Sequence, residues 1–145
     1  MLKKSLLALV ASLACAGAMA ANTADDLFLE KIRFIQYHAP NPADYRSATQ
    51  KLIQSVNQSD GPMLGALGRA FMRMQDFDNA LGVLISATRI APSNADAQAD
   101  LSFVSAMRGP DCQMSRAAYD RAIELNPALA ELRHVQRALA MCHTS

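Results

Sequence analysis

"LGALGRAFMRMQDFDNALGVLISATRIAP", Leu64 to Pro92, sets small and bulky residues at fixed intervals on either side of one short break. Its spaced positions read Leu64-x2-Leu67-Gly68-x2-Phe71, then x8-Ala80-x3-Leu84-x2-Ala87-x4-Pro92. Both halves have a helical period. Gly68 and Ala80 carry almost no side chain, so two antiparallel helices can approach closely there. Leu67, Phe71, Leu84 and Ala87 then fill the seam. Asp76 is placed to cap the second helix. Pro92 stops it, and Ser93 or Asn94 caps the next.

The spacing recurs. Leu101, Ser102 and Ser105 follow Leu67, Gly68 and Phe71 at 34 residues, and Ser115, Tyr119, Ala122 and Pro127 keep the second-helix spacing one residue later. The extra residue falls in the turn chemistry of Gly109-Pro110-Asp111-Cys112. Serines stand where Gly and Ala are expected, which weakens this copy. A degenerate copy lies upstream, where Tyr45, Ala48, Leu52, Ser55 and Asp60 repeat Phe77, Ala80, Leu84, Ala87 and Pro92. Its first helix spans about Ala24 to His38, with Leu27, Ile32 and Ile35 on the packed face. Asn41 is its second helix's cap and Pro42 that helix's first residue. After Pro127 one more helix fits, with Leu129, Leu132, Val135, Leu139 and Cys142 down one side.

This pattern resembles the tetratricopeptide repeat, with Leu64 in place of its usual Trp, Phe71 of its Tyr and Leu84 of its Phe. "AAYDRAIELNP", Ala117 to Pro127, is similar to a common form of the family's second helix. The resemblance covers nearly all of the chain after its leader, most clearly Gly61 to Pro127. It implies an all-α, right-handed α-solenoid of antiparallel helix pairs: about three repeats plus a C-terminal capping helix. The divisions are 1–20 leader, 21–60 degenerate pair, 61–94 and 95–128 repeats, and 129–145 cap and tail. A last helix over the exposed face of the final repeat is what such stacks need for solubility.

Composition agrees with helices packed through small side chains. The chain is 51% hydrophobic, has no Trp and only 6% aromatic residues, with a formal net charge of +1. Near-neutrality gives no general electrostatic case for nucleic acid or an anionic membrane. The start reads as a secretory signal. Basic Met1-Leu2-Lys3-Lys4 precedes a mostly apolar run, Ser5 to Ala16, that is short for a membrane span. Ala18-Met19-Ala20 has cleavage spacing, so cutting is expected after Ala20. The reading is a bacterial periplasmic protein with no stable membrane anchor after cleavage.

Cys15 would leave with the leader. Cys112 and Cys142 remain, an even number for an oxidising compartment. Successive first helices of a stack run parallel, which puts both cysteines at one edge. A Cys112–Cys142 disulfide is expected, closing a loop of roughly 30 residues and stabilising by about 3 kcal/mol on the chain-entropy argument.

Catalytic and metal patterns are weak. There is no Cys-x-x-Cys. His38, His134 and His143 are scattered, and a pairing of His143 with Cys142 has no second pair to match it. Asp25-Asp26 and Asp96/Asp100 suit helix dipoles near helix starts. Gly61 to Gly68 lacks a phosphate-loop Lys-Ser/Thr. The chain is expected not to be an enzyme and to need no cofactor or metal.

In this family the first helices line a concave groove. By that resemblance the groove stripe takes Gly65, Arg69, Met72 and Arg73, then Ala99, Phe103, Ala106 and Met107, then Arg133 and Arg137, with Arg33 and Tyr37 upstream. Arginines among Met and aromatic side chains suit an extended peptide with apolar anchors and carboxylates. The same spacing equally fits Phe103 and Met107 as core and the arginines as a solvated face. The resemblance implies an adaptor holding a peptide or protein partner in envelope assembly, such as pilus biogenesis or secretion. Its alternatives are a cytochrome c maturation factor binding apocytochrome, and a regulatory subunit of an envelope enzyme.

Overall fold

Most helix starts in this chain are fixed by a polar side chain one residue ahead. In the computed structural model, which describes residues 23–108 and 112–142, Thr23 caps α1 (Ala24–His38) and Asn41 caps α2 (Pro42–Ser55). Asp60 caps α3 (Gly61–Arg73) and Asp76 caps α4 (Phe77–Ile90), each accepting a backbone N–H. Asn94 does the same for α5 (Ala95–Arg108), through the N–H of Ala97. Each bond satisfies a donor that the first helical turn leaves without an intrahelical partner. α6 (Cys112–Leu125), a 3-10 turn at Pro127–Glu131 and α7 (Arg133–Met141) complete the described residues, which contain no strand. The leader expected at residues 1–20, the turn at 109–111 and His143 lie outside them.

The break between α3 and α4 costs backbone strain. Gln75 has φ 58°, the left-handed conformation that usually calls for Gly. The N–H of Asp76 bonds the carbonyl of Phe71 and the N–H of Gln75 that of Met72, which satisfies two terminal carbonyls of α3. Asp76 then turns its side chain to α4. One residue ends one helix and begins the next.

The core is centred on the α3–α4 seam. Leu64, Leu67, Phe71, Ala80, Leu84 and Ala87 are wholly buried, as the spacing required. Gly68 matters because Leu84 lies on its backbone: a Cβ there would sit 2.6 Å from Leu84 Cγ. Gly61 makes a second close approach, to Ala91. α4 packs on α5, α5 on α6 and α7, and α3 touches α5 as well as α4. Val135, Ala138 and Cys142 are buried on α7's inner side.

Two features depart from the sequence reading. The helix expected directly after Pro127 starts only at Arg133. Asn126 and Pro127 open a 3-10 turn, Leu132 is extended, and no side chain caps α7. Leu129 and Leu132 still pack against buried Ala99, Ala122 and Val135. The second departure concerns α1. A repeat of about 34 residues would lay the later part of α1 beside the end of α3, yet Asp25 and Asp26 lie there, paired with Arg69 and Arg73. The start of α1 therefore meets the end of α3. Phe28, Leu29 and Ile32 bury against the main core, whereas Leu27, expected on the packed face, is exposed because this placement of α1 turns it outward; α2 runs beside α4 through Tyr45–Asp76 and Asn79–Thr49 hydrogen bonds.

Candidate functional site

The candidate surface runs across α3, α5 and α7. Arg69, on α3, is its pivot. Its Nε and Nη2 donate to the two carboxylate oxygens of Asp25, at 2.7 and 3.1 Å, a forked geometry that a guanidinium matches well. Its Nη1 reaches Asp100 of α5 at 3.4 Å. One cation thus ties three helices together. Arg73, one turn on, donates to Asp26 at 2.8 Å.

Asp100 is almost fully buried, and burial pushes its carboxyl up to about 6. Arg69 pulls the other way, and the neighbouring charges of Asp96 and Asp25 add to the rise. For Arg69 the hydrogen bond to Asp25 dominates and holds the guanidinium charged. Asp26 is lowered, chiefly by Arg73 and then by Thr23. The ion pairs were not legible in the sequence, where these carboxylates read as helix-dipole partners. Signals existed only as separations of 31, 44 and 47 residues, which no local rule singles out.

The apolar part of the surface lies on α5. Phe103 is half-buried and makes edge-on contacts with Phe77 of α4, at 6.1 Å between ring centres, and with His134 of α7, at 5.4 Å. Met72 is half-buried against the core and Met107 is exposed. Gly65 and Ala99 are buried, and Ala106 is half-buried. Arg133 and Arg137 are exposed on α7. Arg33 and Tyr37 are exposed on α1 but lie about two turns or more beyond Asp26, away from the Arg69–Arg73 cluster. The structure thus brings Arg69, Arg73 and Phe103 onto neighbouring helices and leaves Arg33 and Tyr37 elsewhere.

The edge of this surface is locked covalently. Cys112, the first residue of α6, is bonded to Cys142 just after α7, with a Cα–Cα separation of 5.3 Å. Beside it, buried Ser115 donates to the backbone carbonyl of Ser102 at 2.8 Å, and the two hydroxyls lie 3.4 Å apart. The serines that weakened the second copy in the sequence satisfy one another across the seam. Among the described residues no buried side-chain polar atom lacks a partner. Nor does any group of three or more His, Cys, Asp or Glu among them form a metal-holding cluster. No described helix is long and apolar enough to cross a membrane.

With Arg69 and Arg73 engaged by Asp25, Asp26 and Asp100, this surface offers half-buried Phe103 and exposed Met107 on α5, with Arg133 and Arg137 exposed on α7. No family model matches the sequence, and no curated protein matches it.

Proposed function

We propose that the chain is a small helical-repeat module of the tetratricopeptide kind, exported to the periplasm, where it holds a peptide or protein partner during envelope assembly. The observation that carries this reading is the lateral packing of α5 against both α3 and α7. It sets α3, α5 and α7 side by side, so that exposed side chains of neighbouring helices can face one partner. The Cys112–Cys142 disulfide supports the oxidising compartment, and the spacing of Leu64 to Pro92 supports the repeat.

The paired arginines change the expected chemistry of the partner. A ligand carboxylate would have to displace Asp25 from a forked bond on Arg69, and buried Asp100 would oppose it. The partner surface is therefore Phe103, Met107, Arg133 and Arg137: apolar anchors with a carboxylate toward α7. Affinity capture from envelope extract, with the disulfide-intact chain as bait, tests this. A partner retained by the native chain and lost from a Met107→Glu/Arg137→Glu bait supports the reading. Equal capture by both baits removes this surface from the function.

A further inference from the structure

The two ends of the described helices are finished differently. At the C-terminal end α7 covers α5, and the disulfide holds it there. At the N-terminal end nothing described covers the outer side of α1. Leu27, Phe34 and Tyr37 are 49%, 64% and 85% exposed. Phe34 lies 3.9 Å, ring centre to ring centre, from His38, which also meets Tyr37 edge-on, so the aromatic groups form one exposed cluster. Beside them α1 and α2 diverge into a cleft of about 580 Å³, lined by Glu30, Lys31, Phe34, Ile35 and Leu52. Contiguous exposed apolar surface of this kind marks an interaction site.

We infer that the occupant is a second copy of this chain, whose own α1 lies along the cleft between α1 and α2. Three observations support this. A groove between two helices is filled most naturally by a third, whose side chains enter at helical spacing. α1 itself presents such a helix: Leu27 and Phe34 are two turns apart on its free side, about half or more of each side chain exposed. The flanks of that stripe also carry opposite charges, Glu30 on one side and Lys31 on the other, both exposed. The face is neutral overall, so two identical faces meet without net repulsion. An interface that uses one patch on both copies closes as a two-fold dimer. This inference does not depend on the partner surface at Phe103 and Met107, which lies on other helices.

Sedimentation equilibrium tests it, on the protein purified in the form its cell makes, with the N-terminus read by intact mass. A dimer is expected with a dissociation constant on the order of 10 µM, as suits a small interface. Phe34→Glu should weaken it about 100-fold by placing a charge in the apolar stripe. Glu30→Lys makes both flanks cationic and should weaken it about 10-fold; Glu30→Lys combined with Lys31→Glu restores neutrality and should restore the dimer. The substituted side chains are exposed, and an unchanged helical circular dichroism spectrum verifies the fold. A protein that stays monomeric up to several hundred micromolar overturns the inference. So does a dimer indifferent to Phe34→Glu, or one that the double exchange fails to rescue.

Discussion

The α3–α4 and α5–α6 seams occupy equivalent places in the sequence pattern and are closed by different physics. At α3–α4 the backbone of Gly68 gives way to Leu84, and shape alone closes the joint. At α5–α6 the equivalent position is Ser102, and across from it Ser115 replaces the Ala80 of the first seam. Their hydroxyls bond, and the disulfide clamps the edge of the same pair to α7. A seam that lacks the close contact of Gly68 with Leu84 has gained polar and covalent ties beside its apolar packing. The α5–α6–α7 end also forms its own small cluster around Ala99, Ala122 and Val135, apart from the main core. A packed helix pair therefore tolerates loss of its small-residue contact when something else holds the helices.

Breaking the covalent tie should have the largest effect. Cys112→Ser with Cys142→Ser is expected to cost about 3 kcal/mol by the loop-closure argument. The loss should be local. α7 is nine residues long, has no side-chain cap and begins after an extended Leu132. Hydrogen exchange of the double variant should show lost protection in α7 and retained protection in α3 and α4. Loss spread evenly over all helices would mean that the two seams are not separable in stability.

The next test addresses the link between the two pairs, Arg69 to Asp100. The carboxyl of Asp100 has its ordinary range near 3.8 when unfolded and about 6 when folded. Between those values the folded chain binds the proton more tightly, so this group's contribution to stability is fully present below about pH 4 and is lost as pH rises through 6. Asp100→Asn removes that dependence. The stability of the variant relative to the native chain should therefore rise by on the order of 2 kcal/mol between pH 4 and 7. Urea unfolding at both pH values measures it, and parallel profiles for the two proteins would refute the assignment.

How far this was legible in the sequence depended on the range of the interaction. Asn41, Asp76 and Asn94 were readable as caps because a cap acts over three residues. Helices α2 and α5 begin where a cap or Pro announces them. The buried faces of α3 and α4 followed from a period that each helix carries alone. The placement of α1 was not readable: Asp25 meets Arg69 across 44 residues, and the repeat spacing suggested a different alignment. Residues Arg33 and Tyr37 were assigned to the groove stripe by that alignment. Ser102 and Ser115 read only as departures from the pattern, because one sequence shows two anomalies without showing that they face each other. The start of α7 at Arg133 is not legible, because Pro127 suits the first residue of a 3-10 turn as well as that of an α-helix.

Glycine substitutions sharpen the shape half of the comparison, since identical chemistry should give opposite signs. A methyl at Gly68 meets the branch carbon of Leu84, which cannot swing aside, so Gly68→Ala should cost about 1 to 2 kcal/mol after its gain in helix propensity. Gly82 lies in the middle of α4, and a Cβ there meets nothing within 4 Å. Gly82→Ala should therefore stabilise by somewhat under 1 kcal/mol, the intrinsic preference of a helix for Ala. Thermal unfolding of both variants decides it. A stabilised Gly68→Ala would mean that Leu84 has room and that shape does not close that seam.

The smallest effect belongs to the serines, and it turns on a double-mutant cycle. Ser115→Ala removes the donor to the Ser102 carbonyl and leaves the buried Ser102 hydroxyl without its neighbour, at a cost of about 1 kcal/mol. Ser102→Ala removes a weaker contact, because Ser115 keeps its bond to the carbonyl. Replacing both leaves no unpaired hydroxyl at the joint, and two methyls recreate the apolar contact of the first seam. The double variant should therefore lie within about 0.5 kcal/mol of the native chain, above the sum of the two single losses. Additive losses would mean that each hydroxyl acts separately, and that the α5–α6 seam has not exchanged shape for a mutual polar tie.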